Sequence, residues 1–213
     1  LLANGTVQCW GNNDGGLLGT GNTTSSAVPV SVSGISGATA ISASNRMTCA
    51  ALSNGSAQCW GATGDLTTFT SSPNPVNALV SATSVAVGPD FACAKLVNDT
   101  VQCWGSNDYG QLGNGSSTAS GTPTAVVGIT STLSVALANN HSCAVLTGGT
   151  VQCWGSNGVG QLGNGTTVSS TLPVTVSGIN NATSVATKDG FSCAALGSGG
   201  VMCWGKNDFG QLG

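Results

Sequence analysis

The feature that most constrains this chain is a repeated unit, in which Trp-Gly follows Cys at five places along 213 residues. The tryptophans are 50, 44, 50 and 50 residues apart. The match extends furthest in VQCWGSNDYGQLGNG at 101–115, VQCWGSNGVGQLGNG at 151–165 and VMCWGKNDFGQLG at 201–213. A period of this length indicates one supersecondary unit stacked repeatedly. We expect the tryptophans to pack between neighbouring units; they are Trp10, Trp60, Trp104, Trp154 and Trp204.

Each unit has the pattern of four short β-strands. Apolar stretches alternate with clusters of Gly, Asn and Ser, which is typical of strands joined by tight turns. Four strands in a period of 44–50 residues predict an all-β fold, a β-propeller of four-stranded blades. About four blades are present, so we expect a partial ring or a fragment of a larger propeller. The single domain spans 1–213, with units at roughly 1–38, 39–82, 83–132, 133–182 and 183–213, of which the first and last are incomplete.

The amino-acid composition argues against some classes of binding partner. Charged residues make up 5% of the chain, against about 25% in an ordinary globular domain. With a net charge of −3 there is no basic patch for a phosphate backbone, so we expect no nucleic-acid binding. The hydrophobic content of 40% argues against disorder. No apolar run approaches the length of about 18 residues that spans a bilayer, so we expect no membrane insertion.

Eight of the nine cysteines form pairs spaced ten residues apart. Each pair brackets a three-residue turn ending in Gly or Asp, such as Ser53-Asn54-Gly55, which suits a type I turn closed by a left-handed residue. Cysteines equidistant from such a turn face each other at a Cα separation of about 4.5 Å, within disulfide reach. Zinc would need close-set cysteine pairs such as Cys-x-x-Cys together with histidine, and the chain has no such pair and only a single histidine. The expected disulfides are Cys49–Cys59, Cys93–Cys103, Cys143–Cys153 and Cys193–Cys203.

These pairs predict a compartment outside the reducing cytosol, and we expect a secreted or cell-surface protein. Cys9 is left without a mate. By alignment with the second unit, its partner would fall two residues before Leu1. We therefore expect that the chain begins inside a hairpin and is part of a longer protein, with a free reactive thiol as the alternative.

The motif Cys-Trp-Gly-x-Asn-x-x-Gly-Gln-Leu-Gly-Asn-Gly, strongest at 101–115, 151–165 and 201–213, resembles the regulator of chromosome condensation repeat family over nearly the whole chain. The resemblance implies a propeller, usually of seven blades. The founding member is nuclear, exchanges guanine nucleotide on a small GTPase and docks on chromatin, but its contact residues have no matching motif here. The paired cysteines are more similar to the secreted bacterial branch, which includes proteinaceous β-lactamase inhibitors that bind partners over one face of the ring.

We expect no catalysis and no cofactor. His141 is the one histidine, and the same position holds Met47, Phe91 and Phe191 in other units, which indicates a packing role. Three aspartates share the Asn-Asp-x-Gly position of different units. They could be calcium ligands, but an Asn-Asp turn that caps its own backbone is the simpler interpretation. These residues are Asp14, Asp108 and Asp208.

Asn-x-Ser/Thr sequons are slightly more frequent than chance predicts. Three fall on hairpin tips, where a sugar could be carried without disturbing the packing. Asn-Gly is also a good turn in its own right, so a purely structural role is the alternative. The candidate glycosylation sites are Asn4, Asn54 and Asn98 at the tips and Asn114 and Asn164 in loops; Asn22, Asn140 and Asn181 complete the set of sequons.

Three functions follow from these patterns. The first is a noncatalytic extracellular protein that acts through protein–protein contacts and self-assembles, for example into a filament, because low charge weakens repulsion and open strands can pair. The alternative is a secreted recognition module that binds a protein or glycan on one face. A nucleotide-exchange regulator or an enzyme comes last. The second unit lacks the Gly-Gln-Leu-Gly loop within 61–75, which is either a partner site or neutral variation.

Overall fold

The computed structural model describes residues 1–62 and 69–213, which form β-strands and loops. None of these residues belongs to a helix long and apolar enough to cross a membrane. The strands are β1 Gln8–Gly11, β2 Ser26–Ser31, β3 Ala38–Ala43, β4 Met47–Leu52, β5 Ala57–Ala62, β6 Phe69–Pro75, β7 Ala82–Val87, β8 Phe91–Leu96, β9 Val101–Gly105, β10 Ser120–Ala125, β11 Thr132–Leu137, β12 His141–Leu146, β13 Val151–Gly155, β14 Ser170–Thr175, β15 Ala182–Lys188, β16 Phe191–Leu196 and β17 Val201–Gly205.

The strands form five antiparallel sheets in which each strand pairs with its neighbour in sequence. The first sheet is β1–β2, the second β3–β6, the third β7–β10, the fourth β11–β14 and the fifth β15–β17. The initial strands β3, β7 and β11 each contact the initial strand of the next sheet along the chain. Across the described residues the sheets do not close into a ring. The predicted all-β architecture of four-stranded propeller blades is therefore confirmed.

The hairpin between the second and third strands of each sheet fixes the register of the cysteines. The last residue of each turn has a positive φ: 83° at Gly55, 62° at Asp99, 82° at Gly149 and 88° at Gly199. Each cysteine then lies directly opposite its mate, as in Cys93↔Cys103. Four disulfides join these pairs across Cα separations of 4.0–4.1 Å.

Cys9 on β1 is the one cysteine outside these four pairs, and it forms no disulfide within the described residues. It is half-buried, and this burial raises the pKa of its thiol, partly offset by the positive charge of the chain's amino terminus. β1 pairs with β2 on one side only among the residues described.

The tryptophans pack between sheets. Trp60 of the second sheet lies with Val7, which precedes β1, and with Val32 and Ile35, which follow β2. In the same way Trp104 joins a cluster with residues of the second sheet, and Trp154 one with residues of the third. Burying each indole this way removes a large apolar area from water, which favours stacking of the sheets.

Trp10 departs from the expected interior position, because 63% of its surface is exposed. The other tryptophans are covered by the sheet that precedes theirs, whereas in the described part of this chain no sheet precedes β1. A cavity of about 640 Å³, lined in part by Trp10, Leu17 and Ile41, opens beside it.

Candidate interaction surface

In the third and fourth sheets, two kinds of loop lie at the same end. His141, which follows the loop between the first and second strands, pairs with Gly155, which precedes the loop between the third and fourth strands. We call the surface formed by both kinds of loop the front face. It comprises residues 12–25, 44–46, 88–90, 106–119, 138–140, 156–169, 189–190 and 206–213. The hairpins between the second and third strands form the opposite, back face.

A buried asparagine holds the long front loops of the first, third and fourth sheets in shape. The Asn107 side chain is fully buried, and its Oδ1 accepts a hydrogen bond from the Leu112 N–H at 2.9 Å. Its Nδ2 donates to the carbonyl oxygens of Ser116 at 2.9 Å and Thr118 at 3.0 Å. Three backbone groups on both sides of the loop are thus satisfied by one side chain, which rigidifies it.

Asn13 and Asn157 make the equivalent contacts in other sheets. Sequence reasoning singled out the neighbouring aspartates and missed these residues. The repeat itself marks these residues, because asparagine is the third residue after tryptophan in four of the five units, including Asn207. The residue after this asparagine varies between units.

In the same three loops, a backbone carbonyl accepts two hydrogen bonds from the next sheet. The carbonyl oxygen of Gln111 accepts hydrogen bonds from Trp154 Nε1 at 2.8 Å and from the Ser142 hydroxyl at 2.9 Å. The Gln161 carbonyl receives the same pair of bonds from the fifth sheet, and the Leu17 carbonyl from the second. This shared-carbonyl clasp, together with the buried asparagine, fixes the front loops on rigid elements.

Apolar side chains project from these loops at equivalent positions. Tyr109 and Val159 are each 48% exposed and Phe209 is 90% exposed. The backbone N–H of each donates to the glutamine Oε1 two residues later, at 2.8–3.0 Å, so the tips share one conformation.

The first sheet has Gly15 at this position, and Phe69 from the second sheet lies against it. A Cβ built on Gly15 would stand 2.7 Å from the Phe69 ring, which is itself 48% exposed. The Arg46 guanidinium lies over the Phe69 ring, 5.7 Å from its centroid. We refer to Phe69, Tyr109, Val159 and Phe209 together as the apolar arc.

Polar groups line the region between the initial loops of the sheets. A small opening of about 160 Å³ is bordered by residues that include Asn45, Asn139 and Lys188. Arg46 forms an ion pair with Asp90 of the next sheet, and Asn139 Nδ2 donates to Asp189 at 3.1 Å. The front face therefore combines a polar centre with the apolar arc.

His141 lies inside the protein rather than on this face, with 1% of its surface exposed. Its Nε2 is 2.9 Å from the Ser192 hydroxyl of the fifth sheet. Burial lowers its pKa from 6.5 to about 4, because charging the ring there would forfeit hydration. The imidazole is neutral at physiological pH and packs between two sheets.

The structure keeps the three predicted aspartates apart. Asp14, Asp108 and Asp208 are exposed and belong to loops of different sheets. The Asp14 N–H donates to Asn12 Oδ1 at 2.8 Å, and Asp208 pairs with Lys206 at 3.2 Å. Over residues 1–62 and 69–213, no three His, Cys, Asp or Glu side chains cluster as metal ligands would. The shortened loop of the second unit, predicted as a partner site or neutral variation, falls mostly on residues 63–68, outside the described residues.

Comparison with known proteins identifies the repeat. The profile described as the regulator of chromosome condensation (RCC1) repeat matches residues 4–51, 98–145 and 148–195. A second profile of the same description matches 82–111, 134–161 and 182–211. No curated protein sequence matches the chain.

Solved structures match in fold. Prp20p from Saccharomyces cerevisiae superposes with a TM-score of 0.83 at 22% identity, over 100% of this chain and 56% of Prp20p. Human WBSCR16 gives a TM-score of 0.79 at 19% identity, over 96% of this chain and 61% of WBSCR16. The chain thus spans little more than half the length of either protein, and at these identities the likeness concerns the fold alone.

Proposed function

The chain belongs to the regulator of chromosome condensation repeat family, and from this premise we propose that it is a noncatalytic interaction module whose front face binds a protein partner outside the cell. The family and the fold support a module that functions through protein–protein contacts. The choice of face and the extracellular setting are the specific parts of the proposal.

The observation that carries the proposal is the apolar arc. Exposed aromatic residues are enriched at protein interfaces, where they supply contact area at little entropic cost. Tyr109, Val159 and Phe209 occupy one position on three successive sheets. The loops of Tyr109 and Val159 are held by a buried asparagine and a carbonyl clasp, whereas the Phe209 loop is held by the exposed Asn207, which accepts from the Leu212 N–H at 3.0 Å. Such pre-organised anchors lose little freedom on binding, which favours affinity.

Relatives in fold bind proteins. Prp20p is described with its binding to Gsp1p and histones, and yeast RCC1 (Prp20) occurs in complex with Kap60. These partners belong to those proteins. They support a general role in protein binding for this chain and give no partner for it, because the identities are only 22% and 18%.

The four disulfides indicate an oxidising, non-cytosolic compartment. We place the protein at the cell surface or in the extracellular medium on this basis. The noncatalytic role rests on the position of His141, which is buried, neutral and engaged by Ser192, and is therefore out of reach of a substrate on the front face.

The test compares two surface variants. In the first, Tyr109→Ser is combined with Phe209→Ser to remove two anchors of the arc. The matched control is Val97→Ser, which removes an exposed apolar side chain (70%) from a hairpin on the back face. Immobilised wild-type and control proteins are expected to retain the same partner from the extracellular fluid of the native source, and the double variant to lose it.

Equal retention by all three proteins would contradict the front-face assignment. Negative-stain electron microscopy of the oxidised wild type separates this function from self-assembly. Discrete particles agree with a recognition module, whereas filaments would instead support the self-assembling extracellular structure that low charge favours. Retention of oligosaccharide instead of protein would support a glycan ligand on the same face.

A further inference from the structure

We propose that the back face carries N-linked oligosaccharides at Asn4, Asn54 and Asn98, and that the other sequons stay bare. This inference rests on the extracellular setting in the proposed function, but not on the front-face partner. It uses differences among the eight sequons that only the folded structure reveals.

The three selected asparagines share one geometry at successive hairpin tips. All are exposed, and Oδ1 of each accepts a hydrogen bond from the hydroxyl two residues later at 2.7 Å. The backbone N–H of that same residue donates to Oδ1 at 3.0–3.2 Å. Within the described part of the chain, Nδ2 of these asparagines donates to no protein group. The acceptor nitrogen and the hydroxyl of the sequon therefore stand together in solvent.

Two other sequons have their hydroxyl hydrogen-bonded to a backbone carbonyl. The Ser142 hydroxyl, which belongs to the Asn140 sequon, is buried and donates to the Gln111 carbonyl at 2.9 Å. The Thr183 hydroxyl, which belongs to the Asn181 sequon, donates to the Ala195 carbonyl at 3.3 Å. Neither hydroxyl contacts its asparagine.

The remaining three sequons lie in front loops and help to hold them. Asn114 is half-buried and its Nδ2 donates to the Thr124 hydroxyl at 3.3 Å. Asn164 is half-buried, and its Oδ1 accepts from the buried Asn157 at 3.3 Å as well as from its own sequon hydroxyl. Asn22 is exposed, but its Oδ1 is held by the Thr20 hydroxyl at 3.2 Å.

The modification is a balanced group transfer. The Nδ2 nitrogen forms a bond to the anomeric carbon of an oligosaccharide donated by a lipid diphosphate. The bond between that carbon and the diphosphate oxygen breaks, the diphosphate leaves, and one amide proton passes to a base of the transferase. The transfer takes place on the folded chain, where the hairpin tips present the Nδ2 nitrogen and the sequon hydroxyl side by side at the surface.

Sugars on the back face would compensate for the low charge of the protein. With only 5% charged residues, the protein has little charge repulsion to keep it soluble. Bulky hydrophilic chains on three successive tips would shield the back face from nonspecific association and leave the apolar arc as the open surface.

Peptide mapping of the protein secreted by its native source tests the inference. Enzymatic release of N-glycans in heavy-oxygen water converts each occupied asparagine to labelled aspartate. We expect label at Asn4, Asn54 and Asn98 and at none of the other sequons. Bare tips, or label at Asn114 or Asn164, would overturn it. The same map reports the cysteines, so bare tips with intact disulfides refute only the glycan inference, whereas reduced cysteines refute the extracellular setting.

A matched pair of variants gives a second readout. Asn98→Gln and Asn164→Gln are secreted from a eukaryotic host and compared by gel mobility before and after deglycosylation. Asn98→Gln should lose one glycan, and Asn164→Gln should migrate like the wild type. The reverse pattern would contradict the inference.

Discussion

Acid should destabilise this protein through its single histidine. In the unfolded chain the pKa of His141 is near 6.5, whereas burial in the folded protein lowers it to about 4. Between these values the unfolded state binds more protons, so the free energy of unfolding falls as the pH falls. Linkage gives a loss of about 2 kcal/mol at pH 5 and about 3 kcal/mol at pH 4, relative to pH 7. That is a large part of the stability of an ordinary domain.

The matched variant is His141→Phe, because Phe91 and Phe191 occupy the same position in other units. Both proteins are unfolded with denaturant in oxidised form at pH 7, 6, 5 and 4, with tryptophan fluorescence as the signal. All aspartates are common to both, so the difference between the two pH curves isolates the histidine. We expect the wild type to lose about 3 kcal/mol more than the variant by pH 4.

Parallel curves would refute the reasoning, as would an imidazole that titrates near 6.5 in the folded protein when followed by NMR. The NMR titration requires no variant, so it decides the matter even if the phenylalanine is poorly accommodated beside Ser192.

Three further predictions concern stability. Gly113→Ala should cost about 1 to 3 kcal/mol, because φ is 67° and the new Cβ would lie 2.8 Å from Trp154 Nε1; Gly121→Ala, with open space around it, should change the denaturation midpoint far less. Asn107→Ala should lower the free energy of unfolding by about 2 to 3 kcal/mol, because it leaves buried backbone groups unpaired. Asp108→Ala should change the free energy of unfolding by no more than about 0.5 kcal/mol. Calcium titration calorimetry of the wild type should give no heat. Reduction should lower the melting temperature, since each disulfide contributes about 2 to 3 kcal/mol; an unchanged melting curve in reductant would refute this.

Local periodicity was enough to predict the hairpins. A cysteine on each side of a three-residue turn specifies which residues face each other, and a left-handed residue is required at the end of that turn. Asp99 adopts this conformation with φ of 62° even without being glycine. The position of the disulfides therefore followed from spacing alone.

Exposure and contacts between sheets could not be predicted in the same way. Trp10 has the same local sequence as Trp60, yet only Trp60 is covered by a preceding sheet. The contact of Phe69 with Gly15 joins two different units, so neither unit's pattern contains it. The repeat marks the position of Asn107, but its burial depends on the closure of a long loop, which the repeat pattern does not describe.

The shared-carbonyl clasp bears on how such a chain can diversify. Its acceptor is a main-chain oxygen, so the joint between neighbouring sheets is indifferent to the side chain at that position, as Leu17 and Gln111 both show. Mutation can therefore alter the adjacent loop tip, which is Tyr109 in one unit and Val159 in the next, without loosening the joint. Each duplicated unit therefore keeps the hydrogen bonds that join it to its neighbour, while the side chain at its loop tip can evolve independently of the other units.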